Sequence, residues 1–166
     1  MIRSATPADV PTIARLIRAL AEYERLSHAV VLEEAKLHEH LFGPRPYAEV
    51  LLAEDGGAVV GFALFFHSYS TFAGKPCIYL EDLFVEPAKR GQGLGKALLK
   101  RLAKLAIERD CARLEWSVLN WNEPSIAFYR AAGARPMDEW TVYRVDDDAL
   151  SALAAQAPAT PGGANS

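Results

Sequence analysis

Val10, Ile13, Ala14, Ile17, Leu20 and Ala21 recur at three- and four-residue spacing, which predicts a helix with one buried stripe. Thr6 stands ahead of it as an N-cap, with Pro7 at the first helical position and Asp9 in the first turn. Ile2-Arg3 begins a short strand before that cap. A shorter helix is expected over about 33–41, broken by Gly43-Pro-Arg-Pro46. The pattern then turns to strands: Ala48 to Glu54, a hairpin turn at Asp55-Gly-Gly57, Ala58 to Ser68, and, after Gly74-Lys-Pro76, Cys77 to Val85. Helical spacing returns from Leu94 to Glu108, where Leu94, Leu98, Leu102 and Leu105 lie broadly on one side. Arg113 to Val118 predicts a strand. Ser125 to Ala132 predicts a helix, with Gly133 placed to close it in a left-handed cap. Trp140 to Val145 reads as a last strand and Asp147 to Gln156 as a final helical turn or two. The tail, 157–166, has no apolar periodicity and is expected to be disordered.

This order predicts an α+β fold: one mixed central sheet of about six or seven strands flanked by helices, in a single domain over 1–156. The 51% hydrophobic content supplies a core for a 166-residue chain. A net charge of −3 argues against general nucleic-acid binding and leaves room for local attraction of a cation. Arg3, Asp9, Arg15 and Arg18 interrupt the N-terminus, so no signal peptide is read there, and no apolar run is long enough to span a membrane. Cys77 and Cys111 lack metal-site spacing and suggest free thiols in a reducing cytoplasm. His38 and His40, two apart, would not share a helix face, and no metal is assigned.

The chemistry concentrates between the third long strand and the helix after it. Arg90-Gly-Gln-Gly-Leu-Gly95 puts three glycines at a strand-to-helix junction. Backbone N–H groups there can approach an anion, the helix N-terminus adds about half a positive charge, and Arg90 adds a full one. The site suits a phosphate or pyrophosphate. A dinucleotide fingerprint from Gly91 would need glycine where Lys96 stands. A P-loop ending at Gly95-Lys96 would need glycine for Arg90 and Ser or Thr for Ala97. What remains is Arg/Gln-x-x-Gly-x-Gly, filled by Arg90, Gly93 and Gly95. That motif resembles the pyrophosphate loop of the Gcn5-related N-acetyltransferases (GNAT), and the element order over roughly 1–150 resembles their fold.

The resemblance implies acetyl-coenzyme A as co-substrate, with Arg90, Gly91, Gln92, Gly93, Leu94, Gly95 and Lys96 around its pyrophosphate. Within that superfamily, Tyr79-Leu-Glu-Asp-Leu-Phe-Val85 and Trp121-Asn-Glu-Pro-Ser125 through Phe128-Tyr129 resemble the spermidine/spermine acetyltransferases. The backbone of Leu83, Phe84 and Val85 would hold the acetyl and pantetheine groups and offer N–H donors to the developing oxyanion. Asn122, Glu123, Pro124 and Ser125 would contact the cofactor.

By pattern alone, Tyr129 reads as a core aromatic beside Phe128. The resemblance makes it the general acid, since a neutral phenol can donate to the leaving thiolate. Strict alternation puts Tyr79, Glu81 and Leu83 on one face of their strand and Leu80, Asp82 and Phe84 on the other. An acid in so apolar a strand needs a partner or water. A structural salt bridge is one reading of Glu81. The resemblance gives another, a base that deprotonates the substrate amine through water. It also implies amine recognition by Tyr23, Glu24, Glu81, Asp82, Glu139 and Trp140.

The expected acceptor is the primary amine of a small diamine-like molecule, and the resemblance implies a homodimer. Polyamine acetyltransferases carry aspartate at the position of Ser70, whereas the thialysine branch carries Tyr-Ser-Thr-Trp. Tyr69-Ser-Thr-Phe72 follows the second branch. A thialysine- or lysine-like amino acid is therefore favoured. A polyamine, a protein or peptide amine, and a non-catalytic acetyl-coenzyme A-binding module are the alternatives.

Overall fold

A computed structural model describes residues 1–158. The expected disordered tail lies outside the described residues from 159 onward. The chain divides into two compact units, Met1–Ile126 and Ala127–Ser166.

The first unit holds one five-stranded sheet, in the order β1-β2-β3-β4-β5. Its strands are β1 (Ile2–Ser4), β2 (Glu49–Asp55), β3 (Ala58–Ser70), β4 (Lys75–Val85) and β5 (Leu114–Trp116). The first four pair antiparallel in sequence, and β5 runs parallel to β4. The fold is thus α+β with a mixed sheet, but among the described residues it has five strands, not six or seven.

Helix α1 (Val10–Tyr23) buries Val10, Ile13, Ala14, Leu16, Leu20 and Ala21. Leu16 takes the place expected of Ile17, which packs partly buried against the same core. Thr6 closes a capping box with Asp9 across a short 3₁₀ turn, and Arg3 grips the same carboxylate through two bonds of 2.8 Å. Helix α2 (Glu34–Phe42) adds Leu37 and Leu41. With Val50, Leu52, Phe62 and Phe84 these residues form the core on one face of the sheet. Helix α3 (Leu94–Glu108) packs on β3 and β4, burying Leu98, Leu99, Leu102, Leu105 and Ala106; Leu94 is half-buried.

Two irregularities shape β4. Leu64 pairs with Asp82 but Phe65 pairs with Leu80, so Glu81 is an extra, unpaired residue: a β-bulge. Pairing with β5 ends at Leu80 opposite Trp116, so among the described residues Glu81 to Val85 have no strand on that side. The expected strand over Arg113 to Val118 is correspondingly short.

Helix α4 (Glu123–Ala131) crosses from the first unit into the second, and α5 (Asp147–Ala154) lies in the second. Gly133, at φ 92°, closes α4 as expected, with Ala134 N–H returning to the Tyr129 carbonyl at 3.1 Å. Trp140 to Val145 is not a strand. Its β-prone side chains Trp140, Val142 and Tyr143 are exposed, and its backbone joins no ladder among the described residues. Propensity alone does not make a strand; pairing with a partner does.

Candidate active site

The bulge redistributes the acids of β4. Paired residues share a face, so Tyr79 (opposite Phe66), Asp82 (opposite Leu64) and Phe84 (opposite Phe62) point to the α1 side. Ring contacts agree: Phe66–Tyr79 at 5.2 Å and Phe62–Phe84 at 6.5 Å. Leu80 and Leu83 point to the opposite side with Phe65 and Ala63. Strict alternation therefore fails here, because one inserted residue shifts the phase of everything after it. Glu81, exposed, is the inserted residue, and Asp82 follows it half-buried.

Asp82 is pushed up to about 6, first by burial and then by the nearby charges of Glu81 and Glu24. Burial also pushes the Glu24 carboxyl up. Among the described residues no cation pairs with Glu24, Glu81 or Asp82. Such a group of carboxyls can receive an ammonium and can take a proton near neutral pH.

The uncompensated charge has a consequence for stability. Between about pH 4 and 6 the folded chain holds a proton on Asp82 that the unfolded chain has released. Stability from this group therefore falls as pH rises through that window and stays low above it. Asp82→Asn should raise unfolding stability at pH 7, by on the order of 2 kcal/mol relative to wild type. The difference should fade toward pH 4. Urea denaturation of both proteins at the two pH values measures it, and an unstabilised variant at pH 7 would mean that a bound cation or water already compensates Asp82.

Glu24 is placed by the end of α1. Leu26 N–H returns to the Ala21 carbonyl at 2.8 Å and Arg25 N–H to Glu22 at 3.0 Å, with Arg25 left-handed at φ 61°. This is the six-to-one closure usually made by glycine. The Arg25 guanidinium lies 5.4 Å from the Trp121 ring centre. Tyr23, one residue before Glu24, meets Arg90 rather than the β4 acids: the guanidinium carbon is 4.4 Å from its ring centre.

At the glycine loop, Gly91 and Gly93 have φ of 79° and 80°, a conformation that side chains resist. A Cβ on either would meet open space, not protein. The amides of Gly91 to Lys96 donate to no acceptor among the described residues. Together with Arg90 they form a cradle of N–H donors at the N-terminus of α3, a donor set that fits a pyrophosphate.

Asn122, nearly fully buried, caps α4. Its Oδ1 accepts from Ser125 N–H at 3.4 Å and from the Tyr23 hydroxyl at 3.3 Å. Glu123 and Pro124 are exposed in the first turn of that helix. The first unit thus brings together Tyr23, Glu24, Glu81 to Val85, the 90–96 loop and Asn122 to Ser125. Tyr129, Glu139 and Trp140 belong to the second unit. There Tyr129 is half-buried on α4 with its ring 5.3 Å from Phe128, while Glu139 and Trp140 are exposed.

Ser70 does not join the acids. It is buried, its Oγ accepting from Arg113 Nη1 and from Ala73 N–H, both at 3.2 Å. It pairs with Lys75, six residues along β4 from Glu81. At about 3.3 Å per residue that is roughly 20 Å. The linkage between Glu24 and Asp82 is the feature that sequence reasoning missed. Both residues were candidates, but nothing local signals that α1 delivers a third carboxyl to the bulge.

The chain matches the Acetyltransferase (GNAT) family over residues 13–134. It is 41% identical to the thialysine N-epsilon-acetyltransferase of Bos taurus, covering 93% of this chain and 96% of that protein. It is 34% identical to the L-ornithine N5-acetyltransferase of Arabidopsis thaliana, covering 92% and 86% respectively. Among solved structures, an integron cassette protein from the mobile metagenome of V. cholerae superposes with a TM-score of 0.78. That protein is 27% identical, with 93% of this chain and 96% of the other covered. A glycine loop whose donors fit a phosphate suits an acetyl-coenzyme A-dependent transferase, and with these matches the chain belongs to the GNAT acetyltransferase family.

Proposed function

We propose that this enzyme acetylates the side-chain amine of a small diamino acid of the thialysine, lysine or ornithine kind, and that residues 1–156 act as one catalytic domain. The observation carrying the reading is the group Glu24, Glu81 and Asp82: three carboxyls that no cation pairs with among the described residues, beside the open edge of β4. The family match, which runs across the boundary between the two units, supports the single domain. The names of the thialysine and ornithine enzymes support a diamino acid acceptor. Ser70, committed to Arg113, lends no support to the choice of branch. Homodimer assembly and a cytoplasmic location belong to the same reading.

GNAT acetyltransferases take the acetyl group from acetyl-coenzyme A, which supplies it as an activated thioester. The chain's own residues then divide the work. The cradle of Arg90 and the Gly91 to Lys96 amides binds the pyrophosphate, with Asn122 to Ser125 beside it. Backbone N–H groups of Leu83 and Val85, which the register turns away from β3, donate to the carbonyl oxygen as negative charge grows on it. The acids of the bulge hold the incoming ammonium and orient it. Glu81 then takes its proton through water, and Tyr129 gives a proton to the departing sulfur. Glu139 and Trp140 complete amine recognition.

A second reading of the base is favoured by one observation: burial holds the Asp82 carboxyl near 6. The two are separable by pH. If Glu81 accepts the proton, Glu81→Gln should lose most activity at low pH and recover partly as pH rises toward the amine's own pKa. If Asp82 accepts it, Asp82→Asn should remove the acidic limb of the kcat/KM profile near pH 6, and Glu81→Gln should lower the curve uniformly. The reading of the acceptor is tested by acetyl-coenzyme A turnover against thialysine, lysine, ornithine, spermidine, aminoglycosides and peptides. The highest kcat/KM should fall on a diamino acid. A strong preference for spermidine would install the polyamine alternative.

A further inference from the structure

Arg90 is held from two sides. Its Nε–H donates to the Val85 carbonyl at 2.9 Å, and its guanidinium carbon lies 4.4 Å from the centre of the Tyr23 ring and 5.6 Å from that of Phe84. The four N–H groups on its two Nη atoms donate to nothing among the described residues. Tyr23 is itself fixed at its far end, where the hydroxyl donates to Asn122 Oδ1. The Tyr23 ring also lies 6.5 Å from that of Trp121, but its cation partner Arg90 and its hydrogen-bond partner Asn122 are both residues read as cofactor contacts. The resemblance instead placed Tyr23 with the amine.

We propose that Tyr23 is a positioning residue for the cofactor: its ring and the Val85 carbonyl clamp Arg90 so that the free Nη edge faces the pyrophosphate. This rests on the reading of the 90–96 loop as the pyrophosphate site. An unclamped arginine gives up rotamer freedom when it grips a phosphate, whereas one stacked on an aromatic face has already done so. The clamp also leaves intact the two-pronged edge that suits phosphate oxygens.

The test compares acetyl-coenzyme A with S-acetylpantetheine, which carries the thioester without the pyrophosphate, in wild type, Tyr23→Leu, Tyr23→Phe, Arg90→Ala and the Tyr23→Leu/Arg90→Ala double variant. Tyr23→Leu should lower kcat/KM for acetyl-coenzyme A by on the order of tenfold and leave that for S-acetylpantetheine unchanged. Tyr23→Phe, which keeps the ring but loses the anchor to Asn122, should lose less than Tyr23→Leu toward acetyl-coenzyme A. In the Arg90→Ala background Tyr23→Leu should add no further loss, because its effect passes through Arg90. Tyr23→Met keeps the bulk without the ring face and repeats the measurement if Tyr23→Leu does not fold.

A raised KM for the amine with donor kinetics unchanged would return Tyr23 to the amine site and overturn the proposal. An equal loss with both donors would overturn it as well. If Arg90→Ala leaves acetyl-coenzyme A kinetics unchanged, the pyrophosphate reading of the loop falls first and the clamp with it.

Discussion

Gly93→Val should abolish measurable acetyl-coenzyme A binding while the protein stays folded. Gly93 sits at φ 80°, immediately before α3, and its carbonyl accepts the Ala97 N–H at 2.9 Å. A left-handed conformation costs an L-residue roughly 1–2 kcal/mol, and a β-branched side chain tolerates it worst. A Cβ at this position would face open space, so no clash with the rest of the protein adds to that strain. The side chain would project instead into the space beside the unpaired amides, where the phosphate must touch backbone. Gly57→Val is the matched control. Gly57 has φ 82° and equally open surroundings, but lies in the β2–β3 hairpin. Both variants should lose similar stability, and Gly93→Val alone should lose the ligand. Calorimetric titration of the two with acetyl-coenzyme A decides it; unchanged affinity in Gly93→Val would remove the glycine loop from the cofactor site.

Tyr129→Phe should lower kcat by about 10²–10⁴-fold, the usual worth of a general acid, with acetyl-coenzyme A affinity little changed. The substitution keeps the ring and its contact with Phe128, at 5.3 Å between centres, and removes only the hydroxyl. Packing is thereby held constant while proton donation to sulfur is lost. Steady-state kinetics beside calorimetry separates the two roles. Near-normal kcat would make Tyr129 a packing residue of α4.

The parts of this molecule that were legible in the sequence are those whose cause is local. The stripe of α1, the Thr6–Asp9 cap, the hairpin at Asp55-Gly-Gly57 and the glycine loop each depend on residues within a few positions of one another. Their periodicity and turn chemistry can be read directly. What escaped depends on distant partners. Alternation along β4 predicted the wrong faces for Asp82 and Phe84, because the bulge is a property of the pairing with β3, not of β4 alone. Ser70 looked like a selector for substrate until Arg113, 43 residues later, met its hydroxyl. The charge on Asp82 is governed partly by Glu24, which reaches it only through the placement of α1. Trp140 to Val145 had the composition of a strand, but its backbone joins no ladder among the described residues.

The extra residue at Glu81 also changes what β4 tolerates. Skip it, and the partners on β3 run on without a break: Leu80 opposite Phe65, Asp82 opposite Leu64, Leu83 opposite Ala63. An interior strand normally cannot lose a residue, because everything beyond the gap would turn inside out. Here the frame already closes around position 81, and that residue rides on it as a passenger. Excising Glu81 outright would leave the neighbouring pairs in phase. The pairing of the sheet therefore does not account for the residue's presence.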